Sequence, residues 1–308
     1  MVTSLQKLGH KVPYADANAP VEIYFSQPTW FDWTNPDAYH IAFTPWESSE
    51  LPEGWLEPLN EADEVWTPSP LIAQWYKEAG VVKPIYVYEH GINDMWTPKK
   101  RNKNSRIKFL FIGDPAVRKN GQIAFEAFRE AFGDRDDVRL TIKSYGESII
   151  RVYQGRGARR SIIGLPHQMY SNVSMITENI PEDQLVALYH FNDCVVYPSS
   201  GEGFGLIPFQ ALATGMPTIC TEAWAPYKRF LGPLALDSKL GDSPWPDMHP
   251  GKMFWPDFDD LVNKYKKTAE EFESLSDFYY NQAEQLHKEY DWLTLTENAF
   301  DHIVKMFG

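Results

Sequence analysis

Gly201-Glu202-Gly203-Phe204-Gly205-Leu206-Ile207-Pro208-Phe209-Gln210-Ala211-Leu212-Ala213-Thr214-Gly215-Met216-Pro217 is the stretch on which the reading of this chain turns. Ahead of it, Cys194-Val195-Val196-Tyr197-Pro198 is a short apolar, β-branched run of strand type, and Pro217-Thr218-Ile219-Cys220 behind it is another. The order is therefore strand, glycine loop, helix, strand. Glycines at 201, 203 and 205 permit a tight turn and a close backbone approach. The helix beginning near Leu206 offers unpaired N–H groups and a positive dipole end to an anion. Gly215 and Pro217 stop it.

A glycine loop before a helix is a weak signal alone; the polar offsets strengthen it. Glu202 lies just ahead of the helix and Gln210 about a turn inside it. The run resembles the E-G-F-G-L-x-x-x-E-A-x-A-x-G-x-P fingerprint of glycosyltransferase family 4, matching at Glu202, Gly203, Phe204, Gly205, Leu206, Ala211, Ala213, Gly215 and Pro217. It departs at Gln210, where the family has a second Glu. Ile180 to Leu185, Phe109 to Gly113 and Arg118-Lys119-Asn120-Gly121 resemble further parts of the family's donor half. Phe43-Thr44-Pro45-Trp46-Glu47, Asp63 to Ser69 and His90-Gly91-Ile92-Asn93 resemble the acceptor half of one of its branches. The resemblance runs from about Gly9 to the C-terminus and is more specific in the second half.

That resemblance implies an α/β chain of GT-B type, two Rossmann-like domains facing each other across a cleft. The expected division is residues 1–98 for the acceptor-side domain, 99–290 for the nucleotide-sugar domain and 291–308 for a helix returning to the first. Candidate strands of the first domain are His10–Val12, Val21–Phe25, Ile41–Phe43, Glu64–Trp66 and Pro84–Tyr88. Trp96 to Arg106, with Pro98 and five Lys or Arg residues, reads as a solvated linker. Ile107–Ile112, a helix over Gly121–Phe132, Val138–Ser144 and Val173–Thr177 then alternate up to the glycine motif. Leu295, Ala299, Ile303 and Met306 form an apolar stripe for the last helix. Only seven residues precede Leu8-Gly9-His10-Lys11-Val12, where the family places a strand, a glycine loop and a helix, so a reduced first domain is expected.

Composition agrees. A chain of 308 residues with 43% hydrophobic content supports two modest domains. A formal charge of −13 argues against coating nucleic acid or an anionic membrane through bulk charge. Apolar runs are of strand length and the first ten residues hold no signal-peptide core, so a cytoplasmic chain without a transmembrane segment is expected. Cys194 and Cys220 lie in apolar strands and read as reduced core residues.

Breaking a sugar–phosphate bond builds positive charge on the anomeric carbon and negative charge on the departing diphosphate. Glu202, Lys119 and Arg118 are the catalytic candidates. The two cations and the N–H groups of Phe204 to Leu206 would balance the diphosphate, without a metal or other cofactor. Two solvated basic residues at a turn are the bland alternative for Arg118 and Lys119. Glu202 would accept hydrogen bonds from donor-sugar hydroxyls, and as a loop residue it should be removable with the fold intact. Gly113, Gly203, Phe204, Gly205, Leu206 and Gln210 complete the donor-side set, Gln210 toward the ribose or else an ordinary helix-surface glutamine. Asp114 stands where the family usually has an Arg.

Glu47, Trp46, His40 and His90 are acceptor-side candidates, although a lone His is more often a structural hydrogen-bonding residue. Seven of the 11 Trp precede Lys99, and packing is their first duty; stacking an acceptor ring is the minority reading for Trp30, Trp33 and Trp46. Asp134-Arg135-Asp136 and Asp257-Phe258-Asp259 mimic an Asp-x-Asp metal motif but sit in charged turns. The resemblance implies retention of anomeric configuration and a nucleoside-diphosphate sugar as donor. The acceptor is open between a saccharide or lipid-linked saccharide and a hydroxylated DNA base, the latter permitted by Lys99 to Lys108 and by Arg151, Arg156, Arg159 and Arg160. A non-catalytic nucleotide-sugar binder is the alternative from another class, because Gln210, Asp114 and the short N-terminus depart from the pattern.

Overall fold

The computed structural model describes residues 1–114, 116–144 and 170–307. The Arg151, Arg156, Arg159 and Arg160 cluster lies outside the described residues. After a short helix, α1 (Val2–Lys7), four parallel strands form one sheet: β1 (Val21–Phe25), β2 (Tyr39–Phe43), β3 (Glu64–Thr67) and β4 (Ile85–Val87), in that spatial order. Helices α2 (Leu56–Glu61) and α3 (Pro70–Glu78) connect β2 to β3 and β3 to β4. Proline opens α3, where its fixed φ suits a first turn and its missing N–H costs nothing. Ile72, Ala73, Trp75 and Tyr76 then fall at helical spacing and are buried. β3 is buried at all four residues, as a strand covered on both faces must be.

A second parallel sheet runs β10-β9-β8-β5-β6-β7, from β5 (Ile107–Ile112), β6 (Val138–Lys143), β7 (Val173–Ile176), β8 (Cys194–Tyr197), β9 (Thr218–Thr221) and β10 (Ala235–Leu236). Its helices include α4 (Gly121–Phe132), α5 (Glu182–Phe191) and α6 (Leu206–Ala213). From β5 the chain builds outward through β6 and β7, then returns to the other side of β5 with β8. The order reverses there, and in open α/β sheets ligands bind beyond the carboxyl ends of the strands at such a point. Both connections leaving these two strands carry the candidate donor residues.

An antiparallel pair, β11 (Ser238–Asp242) and β12 (Lys252–Pro256), follows, then α7 (Phe258–Glu270), α8 (Phe272–Glu289) and α9 (Trp292–Phe307). α9 lies on the first sheet, where Phe300 and Ile303 are buried with Leu5, Ile41, Phe43, Trp66 and Tyr88. Burial of such side chains contributes about 1.5–3 kcal/mol each. Polar contacts fix its register: the Tyr88 and Thr296 hydroxyls lie 2.8 Å apart, and His302 Nε2 is 3.0 Å from the buried Glu64 carboxylate. Leu295 and Ala299 pack against the same cluster, whereas Met306, expected in that stripe, is exposed.

One expectation needs correction, and a second holds only in part. His10–Val12 is not a strand. Gly9 takes a positive φ that ends α1, and Pro13, which has no N–H to give a ladder, follows directly. The first sheet therefore begins at Val21. Residues 96–106 do form a connecting coil, exposed at 97–100 and 102–106, but two of them are not solvated. Trp96 is buried, and the Arg101 guanidinium is buried among carbonyls, donating to those of Asn192, Lys99, Thr214 and Tyr189 at 2.9–3.1 Å. A planar fork of donors can satisfy that many carbonyls at once, so the basic residue serves here as a clip and not as a solubilising charge.

Candidate active site

The site is assembled from the connection after β5 and the connection after β8. Gly113 follows β5, and its N–H donates to the Lys143 carbonyl at 3.0 Å; a Cβ there would meet Phe111 at 2.9 Å. Asp114, in the place of the family Arg, accepts from the Ala116 N–H at 3.0 Å and so shapes the turn. A single 3-10 turn over Val117–Lys119 then presents Arg118 and Lys119. Asn120 closes it with a φ of 55°, a left-handed value that Asn tolerates better than most residues. Its amide donates to the Pro198 carbonyl at 2.8 Å and the Ser200 hydroxyl at 2.7 Å, fastening the turn to the loop after β8.

Glu202 is the centre of this arrangement, with only 9% of its side chain exposed. It accepts from Lys119 Nζ at 2.7 and 2.9 Å, from Ser199 Oγ at 2.6 Å and from Tyr197 OH at 3.0 Å, and pairs with Arg118 Nη1 at 2.9 Å. Burial alone would raise its pKa, but Arg118 and Lys119 overcome that and hold the carboxyl at about 2. Burial likewise opposes charge on Arg118, and Glu202 and Glu47 more than offset it, so the guanidinium is firmly charged. Arg118 Nη1 also donates to the Gly201 carbonyl. Glu202 is thus the buried keystone of an ion cluster and not a free loop side chain, so its removal is expected to cost stability.

Glu47, on the loop after β2, reaches the same cluster from the first domain. Its carboxylate lies 3.5 Å from Arg118 Nη2 and 3.7 Å from His249 Nδ1. Burial pushes the Glu47 carboxyl up, against the pull of Arg118. His249, in the connection between β11 and β12, was not anticipated; no motif surrounds it, and only the folded hairpin brings it here. Tyr197 ends β8 and Ser199 lies two residues beyond it, and the hydroxyls of both serve Glu202.

The glycines have a cause that spacing did not show. Gly205 adopts a φ of +83° as the cap of α6, and a side chain there would also meet Trp224 and Tyr227. Gly203 is required by a neighbour from the other domain: its Cβ would lie 2.5 Å from Pro45 Cβ. Gly201 is similarly blocked by the Glu47 carbonyl oxygen. The loop is pressed against the 45–47 segment, and the glycines permit that approach.

Phe204 is buried, its ring 5.0 Å from His90, 5.0 Å from Phe209 and 5.3 Å from Tyr227, so only its backbone faces the loop. His90 meets the buried Phe204 ring and no member of the ion cluster, and burial, helped by the N-terminal charge, lowers its pKa to about 4 and keeps the ring neutral. Leu206 is exposed at the start of α6. Gln210 is half-buried, its Oε1 3.3 Å from Tyr189 OH. Two further candidates are not brought together with Glu202. His40 sits near the start of β2, stacked on Trp33 at 4.2 Å and 2.9 Å from the Asn35 carbonyl, away from the strand end that carries Glu47. Trp46 is buried against Trp55 at 4.5 Å and donates to the Glu50 carbonyl at 2.8 Å. Trp30, by contrast, is 65% exposed. Asp134 pairs with Arg129 and Asp257 caps α7, so neither Asp-x-Asp run touches the loop. Among the described residues, no three His, Cys, Asp or Glu residues converge as metal ligands. Nor is any described helix long and apolar enough to cross a membrane.

Two parallel α/β bodies, the second with charged loops at its switch point, define a GT-B fold. Residues 93–228, which take in most of the second body, match the profile of the family described as Glycosyl transferases group 1. Over 94% of this chain the fold is similar to 74% of the sucrose-phosphate synthase of Thermosynechococcus elongatus, with a TM-score of 0.63 and 17% identity. It is similar to TarM with a TM-score of 0.67 and 13% identity, over 97% of this chain and 57% of that one. For the pneumococcal O-GlcNAc transferase GtfA, solved with UDP and GlcNAc, the values are 0.59 and 16%, over 87% and 53%. In sequence, 172 residues are 23% identical to an uncharacterised protein of Sulfolobus islandicus rod-shaped virus 1; the match takes in 49% of this chain and less than half, 43%, of that relative.

Proposed function

We propose that the protein transfers a sugar from a nucleoside-diphosphate sugar to a hydroxyl acceptor, with retention of configuration and without a metal ion. The observation that carries this reading is the convergence of Arg118, Lys119 and Glu202 at the switch point, beside the open N-terminus of α6. The diphosphate would take Arg118 and Lys119 from Glu202, joined by the N–H groups of Phe204 to Leu206, and so stabilise the leaving group as its bond to the sugar breaks. Glu202, released from the cations, would accept hydrogen bonds from the donor sugar. Gln210 would contact the ribose as an amide. The acceptor would enter from the first domain past Glu47 and His90, and we take it to be a saccharide or lipid-linked saccharide. Retention rests on the likeness to glycosyltransferase family 4.

A nucleotide-sugar binder without transferase activity is the second reading, favoured by the internal capture of both cations by Glu202 and by the amide at 210. Release of sugar or nucleoside diphosphate from UDP-, GDP- and dTDP-sugars, measured with and without candidate acceptors, separates the two. Turnover that persists in EDTA supports the metal-free reading, whereas turnover lost in EDTA and restored by magnesium or manganese overturns it. Transfer to hydroxymethylated DNA, with retention on heparin, would move the acceptor assignment to a DNA base.

A further inference from the structure

The ion cluster has no charge to spare. Arg118 and Lys119 are balanced by Glu202 and Glu47, two cations against two carboxylates. A sugar diphosphate brings at least two further negative charges into this buried place, and helix α6 offers only part of a charge in return. One more group is poised to respond. His249 is only 9% exposed, its Nδ1 has no hydrogen-bond partner, and that nitrogen lies 3.7 Å from the Glu47 carboxylate, just outside bonding range. Its ring is held between Trp46, 4.9 Å away, and Trp245, 6.2 Å away.

The element that carries His249 is fastened to both sides of the cleft. Ser49 of the first domain donates its N–H to the Lys252 carbonyl at 3.0 Å and accepts from the Lys252 N–H at 2.8 Å through its hydroxyl. Phe254 N–H donates to the Ser200 carbonyl at 2.8 Å, next to the glycine loop. Gly251, with a φ of +79°, fits between Ser49 and Glu50 where a Cβ would strike both.

We propose that His249 is the proton-accepting member of the donor site: when a nucleoside-diphosphate sugar binds, a proton from solvent settles on the His249–Glu47 pair and supplies positive charge that Arg118 and Lys119 do not. The inference rests on the reading of those two cations as the diphosphate ligands. Burial and Arg118 keep the imidazole neutral, lowered to about 4, although Glu202 pulls the other way. The groups that face the pair are Arg118 and Lys119 from the turn before α4, Glu202 from the glycine loop and Asp114 after β5. Glu50 packs beside the hairpin, which itself carries Asp242, Asp247 and Lys252. A bound diphosphate reverses the sign of the field from the Arg118 side, and a hydrogen bond from protonated Nδ1 to Glu47 forms with a shift of under an ångström.

The test uses the whole protein and whichever of UDP-glucose, GDP-mannose or dTDP-glucose binds it. The diphosphate of these donors does not itself titrate near neutral pH. Calorimetric titration in two buffers of different ionisation heat should show uptake of up to one proton per donor bound, and affinity should rise by as much as tenfold per unit fall in pH through the neutral range. His249→Gln should abolish the uptake and flatten the pH dependence while donor still binds. Donor binding by the wild type without proton uptake overturns the proposal, as does undiminished uptake in His249→Gln or uptake lost only in Glu47→Gln. Failure of every nucleotide-sugar to bind instead overturns the donor-site reading beneath it.

Discussion

The two sheets end differently at the cleft. Beyond the carboxyl ends of β5 and β8 stand Arg118, Lys119 and Glu202, interlocked at 2.7–2.9 Å and fixed by Tyr197, Ser199 and Asn120. Beyond those of β2 and β4 stand Pro45, the neutral His90 and a single close-lying carboxylate, Glu47. One edge is built from charge and the other from shape, with Glu47 as the electrostatic link. Recognition of a diphosphate demands fixed charges at fixed positions, whereas a hydroxyl acceptor carries none and is selected by contour.

The strongest way to break this contrast is to remove its keystone. Glu202→Ala should destabilise the protein by roughly 3–5 kcal/mol, because it leaves two buried cations without their partner, and should abolish turnover. Glu202→Gln keeps the shape and part of the hydrogen bonding, so urea unfolding should place it between the other two. Equal stability of all three would mean that the cluster is not buried in solution.

Acid should expose both edges in sequence. His90 and His249 are each held near 4, below the unfolded value of about 6.5, so the unfolded chain binds more protons in that window. Stability should be flat above about pH 6.5 and fall as pH drops toward 4. Glu202, depressed to about 2, adds its own loss below about 4.5. Denaturant midpoints across this range check the order, and His249→Gln should remove part of the first fall only.

Lys119→Ala should weaken binding of nucleoside diphosphate with or without sugar by about 1.5–3 kcal/mol, read by calorimetry. An unchanged affinity would reduce the charged edge to a structural ion pair. Gly203→Ala tests the shaped edge. Its Cβ would strike Pro45, so about 1–3 kcal/mol of strain, or a loop displaced from the first domain, should follow together with slower transfer. The smallest effect is expected at Gln210, where Gln210→Glu should tighten the donor by up to about tenfold through one charge-assisted hydrogen bond. Weaker binding would show a pocket adapted to the amide and its Tyr189 partner.

Much of the second body was legible from local pattern. Short apolar runs at 107–112, 138–144, 173–177, 194–198 and 217–220 became strands within a residue or two, and Gly215 ended α6 where the helix pattern stops. Periodicity, glycine and proline act over a few residues, so they can be read without knowing the fold. The run from Glu202 to Pro217, with Gln210 at its offset from Glu202, carried the likeness to glycosyltransferase family 4 for the same reason. What only the tertiary structure decided concerns residues that meet across the chain. Arg101 reads as a linker charge until its carbonyl partners at 189, 192 and 214 surround it. Gly201 and Gly203 read as ligand-facing until Glu47 and Pro45 arrive from the other domain. His249 carries no local signal, because its place beside Glu47 depends on a contact between residues some 200 positions apart, and nothing in either segment encodes the other.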